Sequence, residues 1–348
     1  MLLSAENSTK GEIMSKQFSL GRTQIVDFIM EYMVLFLILA LVIVTAIVEP
    51  RFLSEQNFIN LMRQFGPLSL VALGMTFIIV GGFIDLSIPG MIALVAMVTL
   101  SLVDIIGEVP AMLVGILLGT TLGLINGTIL VNVGANTQAK ALFITFGMSL
   151  IYRSLALNLT GGFPMNWGTL FEHPMPVTRT IGTGMWTPLP GILPPLAISF
   201  WMFLFFLVVL YIFQSRTALG KAITYTGGNL TAAELAGIPT KRVIIFIYAL
   251  CGFMVAIGAI VLFSRVSVTV PTVGTFFERD AIMAVVVGGT SLTGGKGSVL
   301  RTFMGVSLVI LMSNCMNLMG VQTHAQEVVR GAILVLAIWL DHRRHARG

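Results

Sequence analysis

Arg216 to Val243 reads RTALGKAITYTGGNLTAAELAGIPTKRV, a polar stretch between two apolar runs of membrane-spanning length. Its side of the membrane sets the side of every other loop. Asn229 or Thr231 is placed to cap a short helix, with Glu234 three residues after Thr231 in the capping-box position. Gly237 followed by Pro239 ends that helix after about two turns. A helix so short does not hold its shape alone in water, so it requires a surface to pack against. Arg216, Lys221, Lys241 and Arg242 flank it. The positive-inside rule therefore assigns it to the cytoplasm and makes a cytoplasmic partner the expected surface.

Working outward, the 348 residues are 56% hydrophobic and 10% charged, where a soluble domain carries about a quarter charged residues. The fold class is an all-α polytopic membrane protein. Runs able to cross about 30 Å of hydrocarbon, some as broken helices, fall at 31–49, 66–83, 87–103, 110–131, 140–157, 197–213, 243–263, 280–290, 299–319 and 326–340. That predicts about ten transmembrane helices. The eighth is short and runs into Gly288, Gly289, Gly294, Gly295 and Gly297, the pattern of a broken helix whose free backbone is buried in protein or lines a cavity. Most Lys and Arg residues then fall on inner segments, so both termini are expected in the cytoplasm.

The expected organisation is a cytoplasmic tail over 1–30, a single transmembrane domain over 31–340 and a cytoplasmic tail over 341–348. Within the domain lie the inner loop 215–242 and an outer loop over 158–196. The outer loop is dense in proline and carries Trp167 and Trp186, which predicts irregular chain resting at the headgroup level.

The motifs exclude several classes. Basic residues are spread over many loops rather than gathered on one face, which argues for membrane orientation and against nucleic acid as a partner. Cys251 and Cys315 lie inside apolar runs and suit neither a disulfide framework nor a zinc site, and no metal or cofactor is expected. The nearest approach to a nucleotide-binding loop, GGTSLTGGKGS over Gly288–Ser298, has Thr293 where the first glycine belongs. No catalytic residues are assigned, and the chain is not expected to hydrolyse ATP.

Asp85 is the one carboxylate in mid-run in the first half, at a glycine-rich break. An ionisable group there is either functional or, with Ser87 assisting and Pro89 in the first turn, a cap on the next helix at its cytoplasmic end; the cap is the simpler reading. Asn126 and Thr145, with Thr290 and Ser291 beside the later glycine break, join Asp85 as candidates for a translocation pathway or gate. Each can equally bond a neighbouring helix. Gly115, Gly119, Gly123 and Gly127 share one helix face, which predicts close helix contact. Glu278, Arg279 and Asp280 cluster before the eighth span, and Glu327 with Arg330 forms an i,i+3 pair before the tenth.

Several segments together resemble the permease subunits of bacterial ABC importers of the ribose, xylose, arabinose and galactose class. They are VALGMTFIIVGGFIDLS (Val71–Ser87), GLINGTILV (Gly123–Val131), FITFGMSLIYRSLA (Phe143–Ala156), YTGGNLTAAELAGI (Tyr225–Ile238) and RDAIMAVVVGGTSLTGGKGSV (Arg279–Val299). The resemblance implies the fold of vitamin B12 importer permeases and a dimer with a second copy or a paralogue in the inner membrane, surrounded by lipid. It further implies two cytoplasmic ATPase subunits and a periplasmic binding protein that delivers a monosaccharide. Mapped here, the ATPase-coupling residues are Gly227, Gly228, Asn229, Ala233, Glu234, Ala236 and Gly237. Phe83, Pro89 and Lys140 depart from the pattern. A branched-chain amino acid permease would share the architecture, whereas an ion-coupled secondary transporter would carry paired ion ligands at broken helices, and Asp85 has no evident partner.

Overall fold

A computed structural model describes residues 34–134, 137–166, 175–188, 191, 194–266 and 268–345, with side chains described to residue 339. The expected tail over 1–30, Trp167 and the last residues of the expected tail over 341–348 lie outside the described residues.

Among the described residues the chain is helical with only two-residue strand pairings. Seven helices are long and apolar enough to cross a membrane: α2 (Glu55–Val80), α3 (Ile88–Ile106), α4 (Glu108–Val133), α5 (Gln138–Thr160), α7 (Ile198–Arg216), α10 (Thr240–Ser264) and α12 (Val299–Leu318). Three more helices stand where passes were expected. They are the shorter apolar α1 (Val34–Val48), the 11-residue α11 (Phe277–Val287) and the more polar α13 (Thr323–His345).

Helix α2 starts at Glu55, well before the expected 66. Its first turns are polar, but they are not solvent chain. Ser54 caps the helix by accepting from the Asn57 amide. Asn57 is buried and exchanges two amide hydrogen bonds with Asn314 of α12, at 3.1 and 2.8 Å. A reciprocal pair of this kind satisfies both side chains, which is what lets two amides enter an apolar bundle.

The long helix α10 occupies the centre, with α2, α3 and α4 packed around it. The glycine face of α4 makes that possible. A Cβ added to Gly123 would lie 2.1 Å from the Tyr248 carbonyl oxygen, one on Gly119 2.8 Å from that of Gly252, and one on Gly127 2.8 Å from Cα of Ile245. Backbone meets backbone there, as the spacing of the glycines predicts.

The described residues of the expected outer loop are more regular than its prolines suggest. Pro176 opens a short helix, α6 (Pro176–Thr183), because proline at the first helical position gives up an amide hydrogen that no carbonyl would have met. Glu108 accepts from the amides of Val177 (3.1 Å) and Thr178, the usual task of a carboxylate at a helix start. Two antiparallel pairs brace the loop, β1 (Met165–Asn166) with β4 (Val268–Thr269) and β2 (Met185–Trp186) with β3 (Leu196–Ala197). Trp186 meets Trp201 of α7 edge to face at 5.6 Å.

The stretch 215–242, expected as an inner loop, holds two helices rather than one. Thr217 leaves the helical conformation and accepts from the Gly220 amide at 3.0 Å, which ends α7 and starts α8 (Ala218–Gly228). The expected short helix follows as α9 (Leu230–Leu235).

Candidate functional site

Asn229, not Thr231, is the cap of α9: its side-chain oxygen accepts from the Ala232 amide at 2.9 Å. Glu234 does not close a capping box. Its carboxylate instead accepts from the Thr240 hydroxyl at 2.8 Å, tying α9 to the first residue of α10. At the far end the Ile238 amide donates to Ala233 O (3.0 Å) and the Gly237 amide to Glu234 O (2.9 Å), the two bonds of a Schellman motif. Gly237 takes the positive φ of 81° which that motif needs. Ala233 is buried, while Thr231, Ala232, Glu234, Leu235 and Ala236 are exposed. Leu235 is 87% exposed, an apolar side chain held outward on a capped helix.

Behind α9 three glycine pairs meet: Gly81–Gly82 after α2, Gly227–Gly228 ending α8, and Gly294–Gly295 in the loop after α11. The Gly295 amide donates to Val80 O at 2.9 Å. A Cβ on Gly227 would sit 1.9 Å from that same oxygen, one on Gly294 2.6 Å from Gly227 O, and one on Gly295 2.5 Å from Cα of Gly228. No side chain fits at Gly227, Gly294 or Gly295 between these backbones. Gln214 of α7 binds the glycine loop as well, donating to Gly297 O (3.1 Å) and accepting from the Val299 amide (2.9 Å), and Gln138 of α5 donates to Leu292 O. A cleft of about 360 Å³ opens beside the junction, lined in part by Phe83, Gln138, Asn229 and Thr293.

The chain from Ile84 to Ser87 hangs from three helices. Tyr248 of α10 donates to Ile84 O at 3.2 Å, and Thr145 of α5 accepts from the Leu86 amide at 3.0 Å. Asn126 of α4 donates to the Ser87 hydroxyl at 2.8 Å, and its own oxygen accepts from Tyr152 of α5 at 2.8 Å. Asp85 is fully buried; one carboxylate oxygen accepts from the Ser87 hydroxyl (2.6 Å) and amide (2.8 Å), while the other finds no donor among the described residues. Asp85 thus bonds the residue before α3 and none of the amides in that helix. Pro89 does sit in the first turn of α3. Phe83 packs edge to face on Tyr248 at 6.4 Å.

Asp85, Asn126 and Thr145 are therefore brought together at one chain segment. Thr290 and Ser291 belong to the glycine loop instead, where Ser291 donates its amide to Lys296 O (2.9 Å) and shares a hydroxyl bond with Thr293 (2.8 Å). Sequence reasoning passed over Tyr152, Tyr248, Gln138 and Gln214. A polar side chain inside an apolar run, or at the edge of one, was the signal available for each.

At the other end of α11 the two predicted charge groups form one network with different partners. Arg279 pairs with Glu327 at 2.5 Å and Arg330 with Asp280 at 2.7 Å, joining α11 to α13 rather than linking Glu327 to Arg330 along one helix. Arg330 also donates to Ser313 of α12 at 3.0 Å.

The family model described as the permease component of the branched-chain amino acid transport system matches residues 57–338. That stretch contains both the Asp85 segment and the glycine junction. The chain belongs to this family. It is 32% identical to the ribose import permease protein of Haemophilus influenzae, covering 94% of this chain and 96% of that one. The ribose import permease protein of Bacillus subtilis is 36% identical over 88% of this chain and 91% of its own. A xylose transport system permease protein of Escherichia coli is 31% identical over 84% and 86% respectively. No solved structure matches the chain.

Proposed function

We propose that this protein is the transmembrane subunit of an ATP-driven importer and forms the passage for a monosaccharide delivered by a periplasmic binding protein. ATP is hydrolysed on separate cytoplasmic subunits that grip α9. The permease works as a dimer in the inner membrane with both termini inside.

The observation that carries this reading is the join between α9 and the Asp85 segment. Leu235 and its neighbours offer an exposed face on a helix too short to stand alone, and only the extended cap residue Asn229 separates that helix from Gly227–Gly228. Gly227 lies against the backbone at Val80–Gly82, with no space to absorb movement. A displacement of α9 by closing ATPases is passed to the segments after α2 and after α11, which favours one of two packings over the other.

Full-length similarity to ribose and xylose permeases supports a sugar over an amino acid, although the family description names the latter. The Asp85 cluster holds no acidic pair for a coupling ion among the described residues, which favours neither cargo over the other. Uptake into proteoliposomes holding the assembled complex tests the reading. Entry of a pentose should require internal ATP and the binding protein; entry driven by a proton or sodium gradient without ATP would overturn it.

A further inference from the structure

We infer that Asp85 is a positioning residue whose carboxylate keeps the buried packing of Ile84–Ser87 metastable, so that the transporter leaves this conformation readily. The inference rests on the transport reading above and assigns a task to one residue within it.

Around Asp85 the Ser87 side chain and two backbone groups of the segment are matched from neighbouring helices. Ile84 O, the Leu86 amide and the Ser87 hydroxyl each have a partner on α10, α5 or α4. The second carboxylate oxygen of Asp85, in contrast, is buried without a donor, and no ion pair to Asp85 is present among the described residues. A buried carboxylate with neither a cation nor a full set of donors opposes the packing that encloses it. Such a group persists only where its surroundings over-determine it, and it persists here because the segment is tied on three sides.

The strain sits at a movable place. Gly82, three residues before Asp85, has φ of 85° and touches both Gly227 and Gly294. When α9 moves that junction, the Tyr248, Thr145 and Asn126 ties loosen together. Asp85 then gains solvation, so the carboxylate lowers the difference between the two packings and lets a modest push from outside reverse them.

The contrary expectation is that Asp85 simply stabilises the segment. Asp85→Asn separates the two, because the amide keeps an acceptor for Ser87 and removes the charge. The thermal unfolding midpoint of the purified protein should rise by about 2 °C or more, while the maximal rate of ATP-driven uptake falls about five-fold with KM little changed. Ser87→Ala, which removes the strongest donor to the carboxylate, should lower the midpoint in the wild-type background and do so much less in Asp85→Asn. A midpoint that falls or stays level in Asp85→Asn overturns the inference, whatever happens to uptake. The unfolding measurement needs no cargo, so it remains decisive if the sugar reading fails; absence of pentose uptake by the wild-type complex would overturn that reading alone.

Discussion

At the scale of single residues the glycine junction gives the sharpest expectations. A methyl group at Gly227 has nowhere to go, since it would lie 1.9 Å from Val80 O, whereas at Gly228 the nearest atom is 3.8 Å away. Gly227→Ala should therefore destabilise the protein by more than about 2 kcal/mol through overpacking, and Gly228→Ala should stay within about 1 kcal/mol. Unfolding midpoints of the two purified variants, side by side, check this contrast. The glycine runs were visible in the sequence as signs of broken or crowded backbone. That three of them meet was not, because contact between residues more than sixty positions apart leaves no local periodicity. Asn229 was legible as a cap with Thr231 as its rival, and the side-chain bond to Ala232 decides between them. The partner of Glu234 was not legible, for Thr240 lies beyond the chain reversal at Gly237.

At the scale of elements, hydrophobic runs located the spanning helices because burial in lipid demands them. Polar helix ends escaped the same test. Helix α2 extends to Glu55 through a polar stretch in which Asn57 is met by Asn314, and α8 begins at a threonine cap inside a stretch read as loop. Pairing across α11 and α13 was likewise misassigned, since the i,i+3 rule speaks only of one helix. The observed pairs predict an asymmetry. Arg330→Met should strand Asp280, which keeps only Arg279 at 3.8 Å, and cost about 2 kcal/mol; the range for wholly buried pairs is higher, and this pair is partly solvated. Adding Asp280→Asn should restore most of that loss. A double-mutant cycle on the unfolding midpoint measures it, and a simple sum of the two single effects would refute the pairing.

At the scale of the whole molecule, the exposed face of α9 predicts uncoupling without misfolding. Leu235→Asp and Ala236→Arg alter only exposed positions, so the protein should insert and unfold as before. Co-purification with the ATPase subunits should drop about ten-fold or more, as for central residues of an interface. Unchanged co-purification in both variants would show that α9 is a plain connector. The central place of α10 also has a consequence for biosynthesis. Its glycine-rich partner α4 leaves the ribosome more than a hundred residues earlier, and the amide of Asn57 must wait longer still for Asn314. Until α10 arrives, α4 shows lipid a strip of bare peptide groups, and α2 holds an unmet amide near the membrane. Nascent chains halted before Thr240 should thus be held by the insertion machinery or degraded, and assembly of this protein is a late, nearly simultaneous event rather than a growth from the first helix onward.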